Sequence, residues 1–332
     1  MRIVCFGDFL LHFSPHDNDR FLQTDLMSMS YTGAEMNVCC ALAFWGEKTE
    51  FVTKIPDNAL SLKGKMFLNS FKIKTDNIKY GEGRMGLYFL EKGHALRPSS
   101  VIYDRTNTVF TNLSFEDYDW DIVLNSARAF YLSGITPSLS GSLFECCKKV
   151  LKKAREYNVP VFYDVNLRPT ICSIDKSREI FNSLSPYITH LISNEEHLKQ
   201  LLDFKCEETE NVCRLFDISK ITFEKTKIKN IAITVRRTIS AHQTCIYSSF
   251  YNGDEIAISP HYEIDVVDRV GSGDAFSAGI VYAVLNNLSL QDTINFAAAS
   301  CALKHTINSD INFSTVDEIK NVVHNNRLDV KR

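Results

Sequence analysis

Two hydrophobic patterns take turns along this chain. Short runs that are apolar at nearly every position, at residues 2–6, 50–55, 128–132, 159–164, 190–193 and 230–235, read as strands. A strand that is apolar on both sides has both faces covered, as in a parallel sheet between helical layers. Between the strands, apolar positions recur at helical spacing over 34–45, 143–157, 195–202, 274–285 and 290–305. Strand–helix alternation of this kind predicts an α/β fold with a mostly parallel central sheet. In such sheets ligands lie beyond the carboxyl ends of the strands.

Two stretches interrupt the alternation. Residues 9–32 show little helical periodicity, and residues 84–112 read as two strands, 86–91 and 99–104, around a polar turn. Strands without crossover helices predict a small separate sheet. No repeat, low-complexity tract or Pro/Gly linker divides the chain, so residues 1–332 are expected to form one α/β domain carrying this extra sheet.

Composition narrows the function classes. At 332 residues, 45% hydrophobic and 23% charged, the chain is ordinary for a globular protein with a large core. A net charge of −3 offers no basic footprint for nucleic acid or a membrane surface. No apolar run approaches the roughly 18 residues of a membrane span. The start, Met-Arg-Ile-Val-Cys-Phe-Gly-Asp, reads as a strand and lacks the layout of a signal peptide. The ten cysteines contain no Cys-x-x-Cys and several stand in apolar runs, so buried thiols in a reducing cytoplasm are expected.

The densest chemistry lies at Asp265-Val-Val-Asp268-Arg-Val-Gly271-Ser-Gly273-Asp274-Ala-Phe276, followed by a small, apolar helical run. Glycines let a backbone approach a ligand closely. The first amides of the helix that follows have no internal partners and form an anion site. An acid at the edge of such a site can take the proton of an alcohol that attacks a phosphate. This stretch resembles the Asp-Thr-x-Gly-x-Gly-Asp-x-Phe signature of the ribokinase-like (PfkB) carbohydrate kinases, with Arg269 in place of Thr. Its Asp-Arg-Val-Gly-x-Gly-Asp form is most similar to the branch of 2-keto-3-deoxygluconate kinases. The resemblance implies a ribokinase-like three-layer sandwich, with the two excursions forming a β lid that often serves as a dimer contact as well. It also implies that Asp274 is the catalytic base and that the amides of Gly271, Ser272 and Gly273 form the anion hole.

A second element, Thr32-Gly33-Ala34-Glu35-Met-Asn37-Val, resembles the family's Gly-Gly-Ala-Glu-x-Asn-Val, with Thr32 for the first glycine. Gly33, Ala34, Glu35 and Asn37 are therefore expected at the sugar. Arg105 follows one small-sheet strand and Arg168 follows a core strand. Two guanidiniums converging on a sugar pocket suit a carboxylate, which each binds bidentately. The resemblance adds Tyr88, Tyr103 and Asp310 as further contacts to an acid sugar.

For the nucleotide, no Gly-x-x-x-x-Gly-Lys-Ser/Thr and no protein-kinase signature occurs. By resemblance, ATP is held by loops after the later strands, with Asn166, Ser193, Thr234, Arg236, Gly271 and Gly273 as candidates. Magnesium is supported through water by Asn194 and by Glu195 or Glu196, because His197 stands where the family has Glu. The resemblance leaves open a monovalent cation. The expected reaction is ATP-dependent phosphorylation of 2-keto-3-deoxygluconate in a cytoplasmic homo-oligomer. A neutral-sugar kinase and a sugar-binding regulator without turnover are the alternatives.

Overall fold

The structure, a computed structural model, describes residues 1–324; residues 325–332 of the span read above lie outside the described residues. Nine strands follow one another across the main sheet in the order β13-β12-β11-β10-β9-β8-β1-β4-β5, and β14 joins β12. They are β1 (Arg2–Phe6), β4 (Thr49–Pro56), β5 (Ile78–Gly81), β8 (Ala127–Ser133), β9 (Val161–Asp164), β10 (His190–Asn194), β11 (Asn230–Thr238), β12 (Gln243–Tyr251), β13 (Ile256–Ile258) and β14 (Tyr262–Asp265). From β5 to β11 every pairing is parallel, and the three pairings made by β12 are antiparallel.

Strand β1 shows why the sheet is central. Side chains alternate sides along a strand. Ile3 and Cys5 enter one core, with the helices Ala34–Phe44, Ser272–Leu285 and Leu290–Lys304; Val4 and Phe6 enter the other, with Gly141–Glu156, Ile174–Leu184 and Asn211–Thr226. Each core has one of the chain's two tryptophans. Trp45 meets Tyr282 and Phe296 edge-on and donates from Nε1 to the Ser314 carbonyl, while Trp120 packs on Phe6 and Phe130. The helices Ser272–Leu285 and Leu290–Lys304 cross closely, since a Cβ on Gly279 would stand 2.6 Å from the Ala297 Cα. The small residues of that run make this approach possible, and it fixes the helix that begins at the Gly-x-Gly-Asp turn.

The interrupting segments pair with each other, as expected. β2 (Leu10–Pro15), β3 (Met27–Thr32), β6 (Gly86–Glu91) and β7 (Ser100–Asp104) form a four-stranded sheet in the order β3-β2-β6-β7. The expected core strands and helices are all present. Strand β12 is additional, as are the helices Ile174–Leu184, Asn211–Thr226 and Ala59–Ser70. The helix Ala59–Ser70 lacks a clean apolar stripe because Leu62 and Met66 point to solvent, and β12 is rich in Ser, Thr and Gln. All ten cysteines are free thiols; six are buried, three are partly covered and Cys213 is exposed, so the expected burial holds for most of them. Among the described residues no helix is long and apolar enough to cross a membrane.

Candidate active site

A cleft of 880 Å³ opens at the carboxyl ends of the parallel strands, beneath the four-stranded sheet. This is the size range of small-molecule sites. It is bordered by every residue singled out from the sequence except Glu35 and Ser193.

The Gly-x-Gly-Asp turn forms one wall. Gly271 caps the helix Ser272–Leu285 with φ 75°, a left-handed conformation that favours glycine. A Cβ there would also strike the Asp310 carbonyl at 1.8 Å. Gly273 differs: its φ is not in the left-handed region and a Cβ would meet nothing within 4 Å. Its space opens on the cleft, so a side chain there would occupy ligand volume without straining the chain. The Ser272 amide donates to the Arg269 carbonyl at 3.3 Å, whereas those of Gly271 and Gly273 have no partner among the described residues. Asp274 Oδ2 accepts a 2.7 Å bond from Asn37 Nδ2, whose helix starts at the Gly33 turn. Desolvation first, and then the nearby Asp164 charge, push the Asp274 carboxyl up to about 8 against the Asn37 bond. Asp164, at the end of β9, is itself pushed up to about 7 by burial. A carboxyl with such a pKa can exchange a proton near neutral pH.

Charged and aromatic side chains crowd the end nearest the four-stranded sheet. Arg105 Nη2 pairs with Asp8 Oδ2 at 2.9 Å, both almost wholly buried, while its Nε has no partner. Among the described residues Arg168 donates only to the Leu167 carbonyl, at 3.1 Å. The His12 ring stands on Tyr88 at 4.6 Å, and its Nδ1 lies 3.1 Å from Asp310 Oδ2 without hydrogen-bond alignment. Tyr88 and Tyr103 face each other at 5.4 Å. The unpaired polar atoms of Arg105, His12 and Asp310 are buried beside a cleft, where a polar ligand would satisfy them.

The lining of the opposite end is less buried. Thr234, Arg236, Asn166, Asn194, Glu195, Glu196 and His197 border it. His197 is held neutral, pushed down to about 4 by burial and then by Arg168 and Arg236. Arg269, the departure from the family signature, donates to the carbonyls of Ser240 and Ala241 and to Thr238 Oγ1. It thereby ties the β11–β12 loop to the Gly-x-Gly-Asp turn.

Two expectations are corrected and a third is narrowed. Glu35 does not reach the sugar space. Its Oε1 accepts bonds from the Ser133 amide and hydroxyl and from Thr136, and its Oε2 lies against Gly7, where a Cβ would come within 2.2 Å. It is an internal brace between the Gly33 turn and β8. Ser193 is buried and turns its hydroxyl to the Asn194 carbonyl. Glu195 borders the cleft, but its carboxylate is engaged by Lys199 and Arg214, so Glu196 is the freer acid. Asp8, His12 and Asp164 were missed. Each belongs to or closely follows a strand that borders the cleft, and that position was their only sequence signal.

Among the described residues no three His, Cys, Asp or Glu side chains gather to hold a metal. A divalent ion would therefore rely on phosphate oxygens and water, the usual habit of magnesium.

The chain matches the pfkB family carbohydrate kinases over residues 1–314. It is similar to the crystal structure of 2-dehydro-3-deoxygluconokinase from Thermotoga maritima, with a TM-score of 0.95 and 36% identity over 98% of this chain and 99% of that one. It is 27% identical to the 2-dehydro-3-deoxygalactonokinase of Haloferax volcanii over 100% of this chain and 99% of that protein. It is 22% identical to the 2-dehydro-3-deoxygluconokinase of Bacillus subtilis over 91% and 88%.

Proposed function

Since the chain belongs to the pfkB family of carbohydrate kinases and has its ribokinase-like fold, we propose that it phosphorylates 2-keto-3-deoxygluconate at its primary hydroxyl with ATP. The observation that carries the acid-sugar reading is the pair of arginines. Arg105, with an unpartnered buried Nε, and Arg168, bonded only to a main-chain carbonyl, border the same cleft as Asp274. Asp8 engages one edge of Arg105 and no carboxylate bonds Arg168 among the described residues, so a neutral sugar would leave the Arg105 Nε and the Arg168 guanidinium without an anionic acceptor. Two of the relatives just named act on 2-dehydro-3-deoxy sugar acids that differ in the name of the parent sugar.

In this reading Asp274 takes the hydroxyl proton as that oxygen attacks the γ-phosphorus, the bond to the bridging oxygen breaks, and ADP leaves. Asn37 fixes the direction of the carboxylate. The amides of Gly271 and Gly273, at the positive end of a helix, receive charge on the transferring group. Arg105 and Arg168 hold the carboxylate, and Tyr88, Tyr103 and Asp310 orient the rest of the acid. Magnesium carried by ATP neutralises phosphate charge when bound, and Asn194 and Glu196 are placed to support it through water. The small sheet excludes water that would compete as acceptor. It also joins copies of the chain: its edge strands β3 and β7 expose Met27, Val101 and Ile102.

An ADP-release assay with 2-keto-3-deoxygluconate, its galactonate epimer, fructose, ribose and adenosine tests the reading. Turnover confined to the two keto acids is expected, and preference for fructose overturns it. Sedimentation of the purified chain tests the dimer, which a monomer at micromolar concentration would exclude.

A further inference from the structure

The Gly-x-Gly-Asp turn has a side facing away from the cleft. There the Asp268 carbonyl meets Lys304, the last residue of the helix Leu290–Lys304. Lysine is almost never fully buried without a paired charge, yet Lys304 is 0% exposed. Its Nζ lies 3.4 Å from the Asp268 carbonyl oxygen and 3.1 Å from that of Ile307. The Asp268 carboxylate is committed elsewhere, to Lys92 at 3.0 Å and to the Val270 amide.

The ammonium therefore sits in a seam between two backbone segments. The amides of Val267 and Asp268 donate to the His305 carbonyl at 2.8 and 3.1 Å, and Gly271 abuts the Asp310 carbonyl. The 304–310 loop is thus the backing of the turn whose amides face the cleft. Burial lowers the Lys304 pKa, while Asp268, Asp310 and Asp274 favour its charge and Lys92 opposes it. His305 beside it is neutral, pushed down to about 4. A methionine could fill the same space with no desolvation cost, so packing alone does not call for lysine. What the seam supplies is carbonyl oxygen, the ligand that replaces water around potassium.

We propose that Lys304 is a built-in monovalent cation: its ammonium occupies a carbonyl-lined seam fit for a potassium-sized ion, positions the turn 268–271, and makes catalysis independent of added monovalent salt. On this proposal, which rests on phosphoryl transfer at this cleft and not on which sugar acid is used, the monovalent cation that the sequence left open is not required. Lys304 is a positioning residue, acting through the turn.

The test compares potassium, sodium, lithium and caesium against tetramethylammonium at constant ionic strength, in turnover and in melting temperature. The wild-type rate should change less than about twofold between salts, since no seam is left to fill. Lys304→Ala should lose roughly 10²-fold in kcat, the scale of a small misplacement of catalytic groups. Potassium or ethylammonium should restore at least a tenth of the lost rate in that variant, and neither should help Lys304→Met, where the seam is filled. Potassium should also raise the melting temperature of Lys304→Ala and not that of the wild type, by linkage to a site open only in the variant. The melting readout needs no substrate, so it stands even if the sugar-acid assignment fails. A wild type activated several-fold by potassium overturns the proposal. So does a folded Lys304→Ala with full activity in tetramethylammonium, or one that potassium neither stabilises nor rescues. Should Lys304→Ala not fold, Lys304→Met and the wild-type salt series decide alone: potassium activation of the wild type, or full activity of Lys304→Met, refutes it.

Discussion

The two ends of the cleft are built on different principles. At the end beneath the four-stranded sheet, the side chains are buried and already organised: Arg105 on Asp8, His12 beside Asp310, and Asn37 on Asp274. At the other end, Arg236 and Glu196 are exposed beside Asn194, and the amides of Gly271 and Gly273 have no partner among the described residues. Preorganised side chains read one particular ligand, because every mismatch strands a buried polar group. An open site lined by backbone reads only charge and shape, which suits a phosphate chain. Substitutions at the first end should therefore change which substrate is used, and those at the second mainly how tightly the nucleotide is held.

The largest effect is expected where the two ends meet. Asp274→Asn keeps the bond geometry with Asn37 but cannot accept a proton. It should lose about 10²–10⁴ in kcat with little change in KM for the sugar acid. Retention of more than about a tenth of the rate removes Asp274 as the base.

Next comes the sharpest contrast between ends. Arg168→Ala should cost roughly 2–5 kcal/mol in kcat/KM for the keto acid and almost nothing for a neutral ketose of similar shape. Arg105→Ala should show the same selectivity plus a lower melting temperature, because Asp8 is left buried and unpaired. Equal losses on both substrates would mean that the arginines serve the fold or the nucleotide.

The two glycines separate strain from ligand space. Gly271→Ala must adopt a left-handed conformation and displace the Asp310 carbonyl, so it should destabilise the fold by about 1–3 kcal/mol or more. Gly273→Val has room in the chain but protrudes into the cleft. It should impair ATP use with a nearly normal melting temperature, and matched melting curves for the two variants would contradict this assignment.

Acidity gives a smaller, graded effect. With Asp274 as the proposed base, needed unprotonated and pushed up to about 8 by burial, kcat/KM should climb from pH 6 to 8 by up to about tenfold per pH unit. Stability should move the other way. Asp274 and Asp164 are raised above their unfolded values, so the native state holds extra protons from about pH 4 to 8 and loses stability as pH rises through that window. Asp274→Asn should flatten part of that decline, and an unchanged slope would show that its carboxyl titrates normally. Smallest of all, Arg236→Ala should raise KM for ATP only a few-fold, as expected of one partly exposed charge contact.

The contrast between the ends also explains what could be read from the sequence. The core strands and the Gly-x-Gly-Asp turn were legible because each depends on residue type at fixed spacing, and Arg105 and Arg168 reach the cleft because each closely follows a strand. Glu35 was misassigned because a carboxylate at a helix start looks alike whether it faces a ligand or, as here, the Ser133 amide behind it. Asp8 and His12 escaped notice because their partners, Arg105 and Asp310, lie far away along the chain. Lys304 escaped for the opposite reason: its partners are carbonyls, which carry no sequence signature at all.

The placement of the two tryptophans sets what light can report. The ring partners of Trp45 and Trp120 lie on the helices Ser272–Leu285 and Leu290–Lys304, on β1 and β8 and in the 115–118 segment, and among the described residues none lies in the four-stranded sheet. Tryptophan emission is therefore a gauge of both faces of the main sheet at once and reports nothing directly from the four-stranded sheet. A red shift on denaturation will register the loss of both cores in one signal. Following the small sheet in real time needs a dye placed on it, and Leu96, 98% exposed at the tip between β6 and β7, offers a position where the label itself disturbs nothing packed.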